Sequence, residues 1–226
     1  KWSTIKRKKA VIDAKRGKIF TKIIKEITIA ARMGGGDENS NPRLRQAIIT
    51  AKAANMPADN MKRAIQKGTG ELPGVNYEEV TYEGYGPAGV AILMEVITDN
   101  KNRIVAEIRH LMTKYGGNLG ENGSVSWMFD KKGQIVLPAS VGEEDEVLEL
   151  SLENGAEDFE ADEDYYTVYT EPADLMSVRD ALEKAGLEME SAQLEMIPKT
   201  LQKVEGKEVE RLMNLLEGLD DTDDIN

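Results

Sequence analysis

The chain has 226 residues, 40% of them apolar and 31% charged, a formal net charge of −12 and no cysteine. That length suggests two or three small domains of an ordinary soluble protein rather than one core. No run of about 18 uncharged apolar residues exists to span a membrane as a helix, and without Cys there is no disulfide framework, cysteine zinc ribbon or thiol nucleophile. A reducing, cytoplasmic setting is expected.

The charge is divided unevenly along the chain. Residues 1–70 hold 17 Lys/Arg and 5 Asp/Glu, a net of +12, whereas residues 71–226 hold 12 and 36, a net of −24. The most basic stretch is IKRKKAVIDAKRGK, residues 5–18, with seven Lys or Arg and one Asp. A sign asymmetry of this size points to a basic module aimed at a polyanion and an acidic body with another task.

From Lys1 to Lys67 the pattern is helical. Phe20, Ile23, Ile24, Ile27, Ala30 and Ala31 recur at helical spacing as one apolar stripe, with Lys18, Lys22, Lys25 and Arg32 on another face. Gly34–Gly36 stops that helix. Asn41 then reads as an N-cap with Pro42 at the first helical position, and Leu44, Ala47, Ile48 and Ala51 form the next stripe. Pro57 opens a third helix with Met61, Ala64 and Ile65 inward and Lys62, Arg63 and Lys67 outward. The Gly/Pro-rich GTGELPGVN follows as a linker.

At Tyr77 the pattern becomes β-rich, with two strand runs flanking GYGPAG as a hairpin. NKNRIVAEIRHLMTKYGG reads as an amphipathic helix with Ile104, Val105, Ile108, Leu111 and Met112 inward. From about Lys131 the order of elements is strand, helix, strand, strand, helix, strand, the split βαβ or ferredoxin-like arrangement. A last helix, EGKEVERLMNLLEGLDD, returns to the middle unit. The predicted fold is a multidomain α+β protein, with an N-terminal helical bundle, a central α/β domain and an inserted ferredoxin-like domain. The expected boundaries are 1–74, then 75–129 with 199–226, then 130–198.

Searches for catalytic chemistry yield little. Gly84-Tyr85-Gly86-Pro87-Ala88-Gly89 is a literal G-x-G-x-x-G, but Pro87 lacks an N–H and VAILMEV after it is strand-like, so a hairpin turn is expected rather than a dinucleotide site. His110 is the lone histidine, with Glu107 one turn earlier. Nothing around it completes a triad or metal site. EEDE at 143–146 and DDTDD at 220–224 lack the EF-hand spacing and read as a solvated helix start and an acidic tail. No catalytic residue, metal or cofactor is expected, and the chain reads as a non-enzyme.

Lysine faces are often merely solvated. Here they are nearly all one sign and recur on every segment of the module, the pattern that neutralises phosphates and releases counterions. Lys1, Lys6, Arg7, Lys8, Lys9, Lys15, Arg16, Lys18, Lys22 and Lys25 are the expected primary phosphate contacts, with Arg43, Arg45, Lys62, Arg63 and Lys67 as secondary ones. Trp2 fits either base stacking or core packing. The competing target is an acidic protein surface, this chain's own acidic body included. Asn100, Asn102, Arg103, Arg109 and His110 form a polar helix face expected to line an inter-domain cleft, although an N-cap by Asp99 explains that helix start equally.

The stretches KWSTIKRKKAVIDAKRGKIFTKIIKEI, NPRLRQAI, ANMPADNMKRAIQKGTG, YEGYGPAGVAI, TDNKNRIVAEIRH and KYGGNLGENGSVSWMF closely resemble the YebC/PmpR family, almost continuously over residues 1 to about 130. Two departures from the family pattern are expected: its short leader before Lys1 is absent here, and its final strand after the last helix is cut off at Asn226. The resemblance implies a three-domain, DNA-binding transcriptional regulator. It also implies, as the alternative, a ribosome-associated translational activator that binds RNA and eases synthesis of particular proteins such as proline-rich ones. DNA or RNA is the expected partner, with no membrane, and a monomer is expected.

Overall fold

The computed structural model describes residues 16–226, without the side chain of Arg16. The expectations for Lys1, Trp2, Lys6, Arg7, Lys8, Lys9, Lys15 and the Arg16 side chain lie outside the described residues. The chain divides into two compact units, one running to Ser126 and resuming over Gln202–Asn226, the other Trp127–Leu201. Seven α-helices and two antiparallel sheets among the described residues make this the mixed helix-and-sheet class that the sequence predicts.

The first unit opens with three helices, α1 (Arg16–Gly34), α2 (Pro42–Ala53) and α3 (Ala58–Thr69). Ile23, Ile27, Ala30 and Ala31 of α1 are buried against Leu44, Ala47, Ile48 and Ala51 of α2 and Ala64 of α3, as their periodicity requires. Asn41 joins the first two helices. Its side-chain oxygen accepts the Leu44 N–H at 3.1 Å as an N-cap, while its amide donates to the carbonyls of Ala30 and Gly35, each at 2.8 Å. A buried amide has all three polar needs met there, and its bonds tie the end of α1 to the start of α2. Helices α1 and α3 approach closely because Gly68 has no side chain: a Cβ there would lie 2.4 Å from the Thr28 carbonyl oxygen. Pro57 sits just outside α3, with an extended ψ of 139°.

The same unit continues with β1 (Glu78–Tyr85), β2 (Ala91–Thr98), α4 (Lys101–Lys114) and β3 (Asn118–Leu119), in sheet order β2-β1-β3. GYGPAG is the expected hairpin: Gly86 N–H donates to the Val90 carbonyl at 2.7 Å, and β1 and β2 pair from Glu78↔Thr98 to Tyr85↔Ala91. Glu83 is buried on β1, and its carboxylate accepts the backbone N–H groups of Gly123, Val125 and Ser126 at 2.7–2.8 Å. That one side chain fixes the loop after β3. Helix α4 starts at Asn100, not Asp99. Asn100 has extended dihedrals and accepts the Arg103 N–H at 3.0 Å, whereas the Asp99 carboxylate pairs with the Arg103 guanidinium.

The second unit has β4 (Phe129–Pro138), α5 (Glu144–Glu153), β5 (Ala156–Ala161), β6 (Tyr165–Thr170), α6 (Leu175–Lys184) and β7 (Ser191–Pro198). Sheet order β5-β6-β4-β7, all antiparallel, is the ferredoxin-like arrangement. Ile135, Leu137, Tyr166 and Val168 of the sheet pack with Val147, Leu175, Val178 and Leu182 of the helices.

After the second unit the chain returns as α7 (Lys207–Asp220), whose Leu215 and Leu219 join Ile92, Met94, Val96, Ile104, Ile108 and Met112 in the core beneath β1 and β2. The segment after it is not the solvated acidic tail that DDTDD suggests. Thr222, Asp224 and Ile225 are buried. The Ile97 N–H donates to the Asp224 carbonyl at 2.8 Å, and the Asn226 N–H to the Glu95 carbonyl at 2.9 Å, so the segment lies beside β2 with Val96 opposite Ile225. One apolar residue, Ile225, and two strand-type hydrogen bonds bring four aspartates with them.

Candidate nucleic-acid interface

Lys18, Lys22 and Lys25 fall at i, i+4 and i+7 on α1, so they share one face. The structure turns that face onto the turn after α7. Lys18 Nζ donates to the Asp221 carbonyl at 3.0 Å with its carboxylate at 3.5 Å. Lys22 Nζ donates to the Asp220 carbonyl at 2.7 Å with its carboxylate at 3.5 Å. Lys25 Nζ donates to the Asp223 carbonyl at 3.0 Å and to the Asp224 carboxylate. The Asp224 carboxylate also accepts from Thr98 Oγ1 at 2.8 Å and from Arg103 at 2.5 Å. Burial works against its charge, but the donors Lys25, Thr98 and Arg103 outweigh that and hold its pKa below the usual carboxylate range.

Arg32, Arg43 and Arg45 are engaged as well. Arg43 makes a bidentate pair with Glu26, at 2.7 and 2.9 Å, and reaches Glu79 of β1. The Glu26 hydrogen bond, with Glu79 adding to it against the cost of burial, pushes the Arg43 pKa up. Arg45 donates to the carbonyls of Glu38 and Asn39 at 3.0 and 2.8 Å. Arg32 donates to the Asn76 side chain and the Tyr77 carbonyl, tying α1 to the start of β1.

Lys62, Arg63 and Lys67 stand apart. They are exposed on the side of α3 away from Ala64 and Gly68, and they make no hydrogen bond or ion pair with another described residue. Lys52, at the end of α2, is exposed in the same way. These four cations face solvent.

A polar groove of about 480 Å³ runs between α1 and the start of α4, lined by Lys18, Thr21, Lys25, Tyr77, Arg103, Glu107 and the Asp221–Asp224 turn among others. Of the residues expected in a cleft, Arg103 lines it. Asn100 caps α4, and Asn102, Arg109 and His110 are exposed on α4 and not among the lining residues. Glu107 accepts the Thr222 hydroxyl at 3.4 Å. Sequence reasoning missed the turn Asp220–Asp224 as a partner of α1. The available signal was Ile225, an apolar residue closing an otherwise acidic run.

Among the described residues no cluster of three or more His, Cys, Asp or Glu is arranged to hold a metal, and no helix is long and apolar enough to cross a membrane.

A basic helical bundle followed by a sheet-and-helix body and a ferredoxin-like unit is an architecture with close relatives. Residues 1–71 match the family model described as the TACO1/YebC protein N-terminal domain, and residues 77–226 match that of the TACO1/YebC second and third domain. The chain belongs to the TACO1/YebC family. It is 58% identical over 225 residues to a probable transcriptional regulatory protein of Desulforapulum autotrophicum, and 60% identical over 225 residues to one of Desulfatibacillum aliphaticivorans. Each alignment covers 100% of this chain and 91% of the relative. The crystal structure of a conserved hypothetical protein from Aquifex aeolicus resembles it with a TM-score of 0.89 at 47% identity, over 96% of this chain and 90% of that one.

Proposed function

We propose that this chain is a non-enzymatic, nucleic-acid-binding regulatory protein that grips the phosphate backbone with its basic N-terminal helical domain. The observation that carries the reading is the solvent-facing group Lys62, Arg63 and Lys67 on α3, within a module of net charge +12. Cations with no partner among the described residues are available to neutralise phosphates, whereas paired ones must first give up a carboxylate. The relatives' description as probable transcriptional regulatory proteins supports the same reading. Residues 1–74, then 75–129 with 199–226, then 130–198 are taken as its three functional parts, with the basic charge in the first.

Phosphate contacts position a protein without reading bases, so the test is electrostatic. The full chain is titrated onto a labelled DNA duplex and a labelled single-stranded RNA at several salt concentrations. Affinity is expected to fall steeply with salt. Lys62→Glu, Arg63→Glu and Lys67→Glu together should weaken binding and shrink the slope of log K against log[salt] by about one per cation. Salt-independent binding, or no response to the triple reversal in a folded protein, overturns the proposal.

A further inference from the structure

We infer that the turn Asp220–Asp224 is a built-in competitor for the α1 lysines, so that nucleic acid and this turn share Lys18 and Lys22. The inference rests on the nucleic-acid-binding reading above and adds a form of regulation to it.

What meets the three ammonium groups is a surface of oxygens: the carbonyls of Asp220, Asp221 and Asp223, and the carboxylates of Asp220, Asp221 and Asp224. A row of anionic oxygens facing a row of lysines is the arrangement a phosphate backbone would present. The turn also begins at Asp220, the last residue of α7. Its Asp220 and Asp221 carbonyls are left without helical N–H donors at the negative end of the helix dipole, which strengthens their pull on a cation.

The contact is graded along α1. Side-chain exposure is 43% for Lys18 and 44% for Asp221, then 19% and 20% for Lys22 and Asp220, then 8% and 7% for Lys25 and Asp224. At the inner end the Asp224 carboxylate is saturated by Lys25, Thr98 and Arg103, and the neighbouring backbone is bonded to β2. That end is an anchor. At the outer end the Lys18–Asp221 pair is wet and screened, so it contributes little and exchanges readily, and the part-buried Lys22–Asp220 pair comes next. A polyanion arriving on α1 can take Lys18 and then Lys22 without unseating Asp224. In the resting protein those two cations are already neutralised.

The test compares the full-length wild type with Asp220→Asn/Asp221→Asn, which keeps size and carbonyls and removes two charges. Binding of the labelled duplex and the labelled RNA is measured against salt. The inference predicts several-fold tighter binding and a steeper salt slope for the double variant, and loss of that gain when Lys18→Ala/Lys22→Ala is added. Glu144→Gln/Glu146→Gln, the same charge change on α5, serves as a control and should have a clearly smaller effect. Circular dichroism verifies folding. Lysine-labelling mass spectrometry gives a second readout, with Lys18 and Lys22 expected to react faster in the Asn variant. Unchanged affinity and unchanged lysine reactivity overturn the inference, as does a control that matches the variant. If Asp220→Asn/Asp221→Asn is silent while the α3 triple reversal weakens binding, the competitor falls and the proposed function stands. If wild type binds neither probe, both fall.

Discussion

The Lys25 ammonium meets the Asp224 carboxylate where both side chains are less than a tenth exposed. A charge pair this deep does not gain much from its own attraction, because desolvation offsets it. Its importance lies in what breaking it leaves behind.

Asp224→Ala strands the buried Lys25 ammonium and removes an acceptor from Thr98 and Arg103. The expected loss is about 3–5 kcal/mol of folding stability, read as a lower urea midpoint. Lys25→Met added to Asp224→Ala should recover part of that loss, since the buried charge goes too. A double variant worse than the single would contradict this account.

Acid should unfold the protein through the same group and through Glu83. Burial opposes the Glu83 charge, but the N–H groups of Gly123, Val125 and Ser126 outweigh it, and its pKa, like that of Asp224, lies below the usual value. A depressed carboxylate pKa gives stability that is fully present above the unfolded pKa, about 4, and is lost as pH falls through the folded value. The urea midpoint should therefore hold from neutrality to about pH 5 and drop below it. Asp224→Asn should make that drop shallower.

Glu83→Gln tests the loop directly. Glutamine offers one acceptor and brings an NH2 group toward three backbone donors, so a loss of about 3 kcal/mol is expected. The amides of Gly123, Val125 and Ser126 should lose hydrogen-exchange protection before the rest of the unit does. Uniform loss of protection would mean that Glu83 supports the whole core rather than the loop.

Gly68→Ala adds one methyl group where α1 and α3 touch. With its Cβ 2.4 Å from the Thr28 oxygen and 2.8 Å from Ala31 Cβ, the helices must separate. Overpacking of this kind costs about 1–3 kcal/mol, although alanine is the better helix former. A stabilised Gly68→Ala protein would show that the crossing has slack.

Local periodicity made much of this fold legible. The α1 stripe, the Asn41 cap and the order of six elements in the second unit all depend on spacings within one or two elements, which a sequence displays directly. The Asn100 cap was not legible: the sequence suggests Asp99, whereas Asn100 accepts the Arg103 N–H and the Asp99 carboxylate pairs with the Arg103 guanidinium. The pairing of charges was not legible. The signs of Lys18, Lys22 and Lys25 are plain in the sequence, yet their partners lie about two hundred residues away, and nothing in a helical face says whether it meets solvent, phosphate or the chain's own carbonyls. Counting charge found the basic module. Only the fold shows which of its cations are already engaged.

Lys18, Lys22 and Lys25 are separated from their partners by 203, 198 and 199 residues. A chain made at roughly 5–20 residues per second displays those lysines for about 10–40 seconds before Asp220–Asp224 has been synthesised. Helices α1–α3 close their core from residues 20–65 alone, so the domain can assemble early while its cationic row stays open. The nascent chain therefore presents a more strongly cationic α1 face before Asp220–Asp224 exists than after, and synthesis of that turn is the step that quenches it.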